Sequence, residues 1–287
     1  MVLVERTCKT ICKARHIPFT LSSYVRPLIA AVLLILSSSA AFVIPVSAAG
    51  SSTATAAPPT IFKGGNCCYA GYSGNISLGS TITKLTAEWK LPAAICQPGL
   101  GGPQQLLTLI QLNILVVGVR ELCQTGSTTP SITGFAYFPP TDSNFTVLPV
   151  KGLAVGDLVQ ATILINLSVP DQVQGKLVNL NVTGSGKTHV ETVPTSAATA
   201  QGFIIGISRG LNPPSSPLPV VFLAKFTAPI KFGNCIIVDK AGKKFVLRAI
   251  PILTQGTMID ESYKAMAKPS SISGGGKAFS VTFVKST

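Results

Sequence analysis

The chain has 287 residues, 46% of them hydrophobic and only 11% charged, with 23 Lys and Arg against 10 Asp and Glu. This composition excludes an intrinsically disordered chain and suits one large all-β domain or two small ones. The basic residues are scattered, and the one tight group, Lys240, Lys243 and Lys244 around Gly242, has the spacing of a charged hairpin tip, so nucleic acid is not an expected partner.

Residues 1–27 are basic, with Arg6, Lys9, Lys13, Arg15 and Arg26, and precede an apolar run over residues 28–46. That order, followed by the small residues Val46-Ser47-Ala48, predicts an export signal over 1–48 with the mature chain starting near Ala49. The apolar run approaches the roughly 20 residues that span a bilayer, so an uncleaved anchor over 28–46 is the alternative, and only then is a membrane a partner. Residues 49–60 are Ala, Ser, Thr, Gly and Pro, the composition of a linker or short pro-segment, and the folded domain is expected over 61–287.

Cys8 and Cys12 fall in the signal, leaving Cys67, Cys68, Cys96, Cys123 and Cys235; an odd number leaves at least one thiol free or paired between chains. Export favours disulfides. No cysteine has zinc-ligand spacing and the only histidines are His16 and His189, so no metal or cofactor is expected. Asn75, Asn144, Asn166 and Asn181 begin glycosylation sequons.

Period-two alternation starts in the segment Leu85, Ala87, Trp89, Leu91, with Thr86, Glu88 and Lys90 on the other side. It recurs in Val159, Ala161, Ile163, Ile165, in Val178, Leu180, Val182, and in Phe279, Val281, Phe283. Val155-Gly156-Asp157, Gly184-Ser185-Gly186, Asn212-Pro213-Pro214 and Ala241-Gly242 punctuate these runs as turns. The one stretch with any helical spacing is 258–267. Many short strands between regular turns predict an all-β, antiparallel two-sheet sandwich.

Two strings resemble catalytic motifs without their context. Gly206-Ile207-Ser208-Arg209-Gly210 has the letters of a serine nucleophile elbow, but Asn212-Pro213-Pro214 forbids the helix that an elbow needs. Thr183-Gly184-Ser185-Gly186-Lys187-Thr188 ends like a phosphate-binding loop, but no helix follows and it reads as a hairpin turn. The lone Trp89 on its alternating strand reads as core or cleft wall.

A set of segments, in order along nearly the whole mature chain, resembles the glutamic peptidases or eqolisins, secreted acid-active endopeptidases built on a two-sheet, concanavalin-like sandwich. These are Tyr69-Ala70-Gly71-Tyr72; Ala87-Glu88-Trp89-Lys90-Leu91-Pro92 followed by Cys96; Cys123; Phe135-Ala136-Tyr137-Phe138-Pro139; Val155-Gly156-Asp157; residues 178–187; and Leu218-Pro219 with Phe226 and Cys235. The resemblance implies a Cys96 to Cys123 disulfide and places Trp89, Tyr72 and Tyr137 at a ligand-binding concave sheet. Whether Cys67 or Cys68 meets Cys235 is left open.

The family's mechanism needs a glutamate that takes a proton from the attacking water and a glutamine that holds this water and stabilises the oxyanion. Under the resemblance the glutamine position falls on Val116, two residues before Gly118, and the glutamate position on Gly202, or on Gln201 with a one-residue slip. The glutamate of the family's Trp-Tyr-Glu segment falls on Ala136, and its Gly-x-Asp-Gly turn has no counterpart around residues 109–113. Valine donates no hydrogen bond and glycine takes no proton; losing a general base alone costs about 10²- to 10⁴-fold.

The expected function is therefore that of a secreted, catalytically silent sandwich that binds a polypeptide or other extracellular ligand on its concave face or serves as a surface component. The alternative is an active acid endopeptidase with a shifted pair, Gln111, Gln124 or Gln201 with Glu88 or Glu121. A third reading is a surface-layer component presenting edge strands, in which case it would self-assemble; the sequence does not set the oligomeric state.

Overall fold

The computed structural model describes residues 60–66, 69–76, 80–142, 144–210, 222–260 and 262–285. The export signal, nearly all of the linker, Cys8, Cys12, His16, Cys67, Cys68, Asn212-Pro213-Pro214 and Leu218-Pro219 lie outside the described residues.

Among the described residues nineteen strands follow one another, interrupted by single turns of helix. In chain order they are β1 (Thr60–Asn66), β2 (Tyr69–Asn75), β3 (Ile82–Lys90), β4 (Ala94–Ile95), β5 (Gln104–Leu112), β6 (Leu115–Cys123), β7 (Ser131–Tyr137), β8 (Thr146–Leu148), β9 (Leu158–Ile165) and β10 (Gln172–Asn179). They continue with β11 (Lys187–Thr192), β12 (Gly202–Ser208), β13 (Phe222–Leu223), β14 (Lys225–Phe226), β15 (Ile230–Asp239), β16 (Lys244–Val246), β17 (Ile252–Ile259), β18 (Ala265–Pro269) and β19 (Phe279–Phe283).

Hydrogen bonding runs through 17 of these strands without a break, but the ladder folds into two layers. The first sheet runs β19–β15–β3–β9–β10–β11. The second runs β1–β17–β2–β12–β5–β6–β7–β8. The β17–β18–β19 meander joins them. β5 and β6 lie against β3, β9 and β10 without pairing with β9 or β10, as facing sheets do. Two pairings depart from the antiparallel expectation: β1 runs parallel to β17, and β13 parallel to β5.

Alternation sets the core. Leu85, Ala87, Trp89 and Leu91 are buried, as are Val159, Ala161, Ile163 and Ile165 on the neighbouring strand. Facing them from the second sheet are Tyr72, Leu106, Ile110, Val117, Val119, Ile205 and Ile207. Four rings form a chain from one layer to the other. Trp89 and Phe232 lie 5.6 Å apart, Phe232 and Phe279 stack at 5.0 Å, and Tyr72 meets Phe279 edge-on at 4.9 Å.

Three sequence expectations are corrected. The run Val178, Leu180, Val182 is not an inward face: β10 buries Val173, Leu177 and Asn179, while Leu180 is exposed. The inward place goes to a polar residue because Asn179 is fully satisfied. Its Nδ2 donates to Gly152 O and Asp157 Oδ2, its N–H and C=O exchange bonds with the Ser185 hydroxyl, and its Oδ1 accepts from Asn181 N–H. Residues 258–267 are a strand hairpin, not a helix, since Asp260 Oδ1 accepts from the N–H groups of Ser262 and Lys264 and closes the turn. Cys235 is a free, buried thiol with no disulfide partner.

The Cys96 to Cys123 disulfide is present, with Cα atoms 5.4 Å apart and 27 residues of separation. It ties the end of β6 to the connection between β4 and β5. A loop of this length constrains the unfolded chain by about 3.5 kcal/mol. Replacing both cysteines by serine is expected to lower the free energy of urea unfolding by about that amount; an unchanged midpoint would contradict the assignment of the bridge as a main tie of the second sheet.

Candidate functional site

The second sheet has a core face and an outer face, and parity assigns every residue of its central strands. On β6, Leu115, Val117, Val119, Glu121 and Cys123 point to the core side, and Val116, Gly118 and Arg120 to the other. Cross-strand register then builds three rows on the outer face. They are Ser73, Ile204, Gln111, Val116, Tyr137; Gly71, Gly206, Leu109, Gly118, Phe135; and Tyr69, Ser208, Leu107, Arg120, Thr133.

This face carries its own apolar cluster, Leu107, Leu109, Val116 and Phe135, separate from the main core and packed against Tyr137 and Phe145. The Phe145 ring sits 4.8 Å from Phe135 and 5.5 Å from Tyr137. Glycine floors the middle row because β2 and β12 approach too closely for side chains. A Cβ at Gly71 would lie 2.1 Å from Ile205 O, and one at Gly206 2.2 Å from Ala70 O. The Tyr69 ring covers Gly256, where an added Cβ would meet Cε2 at 2.5 Å, and its hydroxyl bonds Ser73 Oγ at 2.9 Å.

Polar groups ring the cluster. Gln111 is buried and its Nε2 donates to Asn113 O at 2.6 Å. The Ser208 hydroxyl donates to Gly210 O at 3.1 Å. Arg120 is partly buried, and loss of water holds its guanidinium pKa below the usual arginine value. No carboxylate among the described residues lies within ion-pair reach of it.

The two dyad positions named from the sequence, Val116 and Gly202, both face this side, two strands apart with β5 between them. Gln111 stands directly between Val116 and Ile204. Gln201 is exposed at the strand entry, and Gln124 is exposed beyond β6. The described strands of the second sheet contain one carboxylate, Glu121, and it points to the core. Glu88 is on the first sheet, on the side away from Leu85, Ala87 and Trp89. There it accepts from Gln160 Nε2 at 2.7 Å and Asn234 Nδ2 at 2.6 Å. That amide and carboxylate bond directly, which leaves no place between them for an attacking water.

Tyr137 lies on the outer face, whereas Trp89 and Tyr72 are fully buried between the sheets. Tyr72 donates from its hydroxyl to Ser270 O at 2.8 Å. The serine of the elbow-like string, Ser208, ends strand β12. Residues 183–188 lead through a turn into β11, as read from the sequence. Cys235 sits beneath Glu88, and burial first, then that carboxylate's charge, pushes its thiol up to about 12, so it stays protonated and unreactive. Sequence reasoning passed over Arg120, which nothing marks in one dimension, and the convergence of Asp142, His189 and Glu191 at the side of the sandwich.

Comparison with solved structures places this architecture. Scytalido-glutamic peptidase with a transition state analog inhibitor aligns with a TM-score of 0.57 at 14% identity, and the same enzyme with a peptide-based transition state analog at 0.54 and 13%. SCP-B, a member of the eqolisin family in a complex with the tripeptide Ala-Ile-His, aligns at 0.53 and 15%. Each alignment covers 76% of this chain and 100% of the other. No protein-family model and no curated protein matches the chain. The chain has the fold of the glutamic peptidases.

Glu121 gives the sheet a pH signature. Its Oε2 accepts from Ala94 N–H at 3.1 Å while Oε1 has no partner, and burial pushes its pKa from 4.5 up to about 7. The folded state therefore prefers the protonated acid. The stability this group contributes is complete below pH 4.5 and is lost as pH rises through about 7. The expected loss is on the order of 3 kcal/mol across that window. Glu121→Gln should flatten the pH dependence of the melting temperature there; an unchanged slope would place the titration elsewhere.

Proposed function

We propose that this chain is an exported, catalytically silent relative of the glutamic peptidases that holds an extended polypeptide on the outer face of its second sheet. The observation that supports this reading is the chemistry of that face. Its strands offer an apolar cluster, an amide at Gln111, a hydroxyl at Ser208 and a guanidinium at Arg120, but no carboxylate on that side. Peptide-bond hydrolysis by this fold needs a base to accept the water's proton, and Val116 and Gly202 supply neither a base nor an amide.

Binding needs less. Leu107, Leu109, Val116 and Phe135 are themselves buried and form the base of this face, while the partly exposed Tyr137 and Phe145 packed on them are the aromatic groups a ligand would touch. Arg120 offers an unpaired positive charge to an acidic side chain or a chain terminus. The disulfide suits an oxidising compartment, and no helix among the described residues is long and apolar enough to cross a membrane. Delivery by a cleaved signal over 1–48 completes the reading.

The test is incubation of the purified chain with a denatured protein substrate from strongly acidic to neutral pH, alongside calorimetric titration with unfolded polypeptide. The expected result is no cleavage at any pH and saturable binding that weakens roughly ten-fold in Arg120→Gln or Tyr137→Ala. Cleavage that peaks in acid and disappears in Glu88→Gln or Glu121→Gln would overturn the proposal and identify the base.

A further inference from the structure

The side of the sandwich holds a second constellation, next to Tyr137 but different in chemistry from the apolar outer face. His189 and Glu191 stand two residues apart on the same face of the edge strand β11. Asp142 reaches them from the connection between β7 and β8, 47 residues away in sequence. His189 Nε2 lies 3.2 Å from Asp142 Oδ2 and 3.7 Å from Glu191 Oε1, and the ligand atoms of all three are within 4.8 Å of one another.

We propose that Asp142, His189 and Glu191 form a binding site for a divalent transition cation of the zinc class. Three facts carry the assignment. One nitrogen and two oxygens converge on a single point, and tetrahedral zinc with N and O ligands at about 2.0–2.2 Å requires ligand atoms about 3.4 Å apart, close to the two shorter edges. Glu191, the least buried of the three at 30% side-chain exposure against 13% and 10%, is free to close the third edge. A water in the fourth position completes the shell, as in sites with three protein ligands.

Second, the ligands are held from behind. Phe138 N–H donates to Asp142 Oδ2 at 2.8 Å, Thr146 Oγ1 donates to Oδ1 at 3.4 Å, and Asp142 N–H returns a bond to Phe138 O. The Phe138 ring packs on the imidazole at 5.1 Å and occupies the space left by Gly175, the residue opposite His189. Metal ligands anchored in this way keep their orientation without the ion.

Third, the local charge lacks another partner. In a chain with 23 Lys and Arg against 10 Asp and Glu, no Lys or Arg among the described residues pairs with Asp142 or Glu191. An imidazole binds a metal in its neutral form, so together with the two carboxylates it would present a charge that a divalent cation cancels. Such an ion would stitch the β7–β8 connection of the second sheet to the edge strand of the first, beside Tyr137.

The full chain, stripped with chelator and dialysed, would be titrated with zinc chloride by calorimetry and melted with and without the metal, with His189→Gln and Glu191→Gln alongside. The expected result is one zinc per chain and a higher melting temperature that chelator reverses. Binding should be at least ten-fold weaker in each variant, and each variant should melt like the stripped parent. If His189→Gln fails to fold, the more exposed Glu191→Gln decides. Absence of zinc uptake by the folded chain, equal uptake by Glu191→Gln, or calcium bound in preference to zinc would each overturn the proposal; the first would leave His189 as a plain ion-pair partner of two carboxylates.

Discussion

The inward parity of β6 is the constraint on which the rest of this structure depends. A strand side chain has period two, so one residue of slip would exchange everything that β6 shows to the core with everything it shows outward. Cys123 prevents the slip, because its bridge to Cys96 holds the end of the strand on the core side. Gln104, directly opposite Cys123, reinforces it by exchanging two hydrogen bonds with the backbone of Gln97. With Cys123 inward, Glu121 is buried, and Val116, Gly118 and Arg120 face out. One covalent tie thereby decides that Glu121, the one carboxylate in the described strands of this sheet, is kept from its outer face.

The platform under that face is stiff for a separate reason. The chain of rings from Trp89 through Phe232 and Phe279 to Tyr72 crosses from the first sheet to the second, and each aromatic pair adds about 0.5–1.5 kcal/mol beyond its buried area. Tyr72 is anchored at its far end by Ser270 O, whereas the buried Trp89 Nε1 has no partner. An unpaired buried donor costs about 1–3 kcal/mol, so shape rather than hydrogen bonding keeps the indole in place. Trp89 and Tyr72 thus support the second sheet from its core side.

The parts of the fold that were legible in the sequence are those in which burial and alternation coincide. β3 and β9 show their inward faces as unbroken apolar series, and the cystine followed from the ordered resemblance along the chain. Reading failed where a polar residue took an inward place. Asn179 is buried because four local partners satisfy it, and no hydrophobic pattern announces that. The hairpin over residues 258–267 was hidden by helix-compatible side chains, since the Asp260 turn is a matter of hydrogen bonds rather than spacing. Of the candidate site, the sequence offered Val116 and Gly202 only as positions implied by the family resemblance; their shared face, the unpaired Arg120 and the Asp142, His189, Glu191 convergence arise only from cross-strand register.

The most direct measurement of the central claim is backbone-amide chemical-shift mapping of the chain during titration with an unfolded polypeptide. Perturbations should concentrate on outward positions of β5, β6 and β12, Leu107, Gln111, Val116 and Arg120 among them, with the polypeptide recovered intact. Perturbations centred on Glu88 and Gln160 of the first sheet, or recovery of cleaved fragments, would contradict the account.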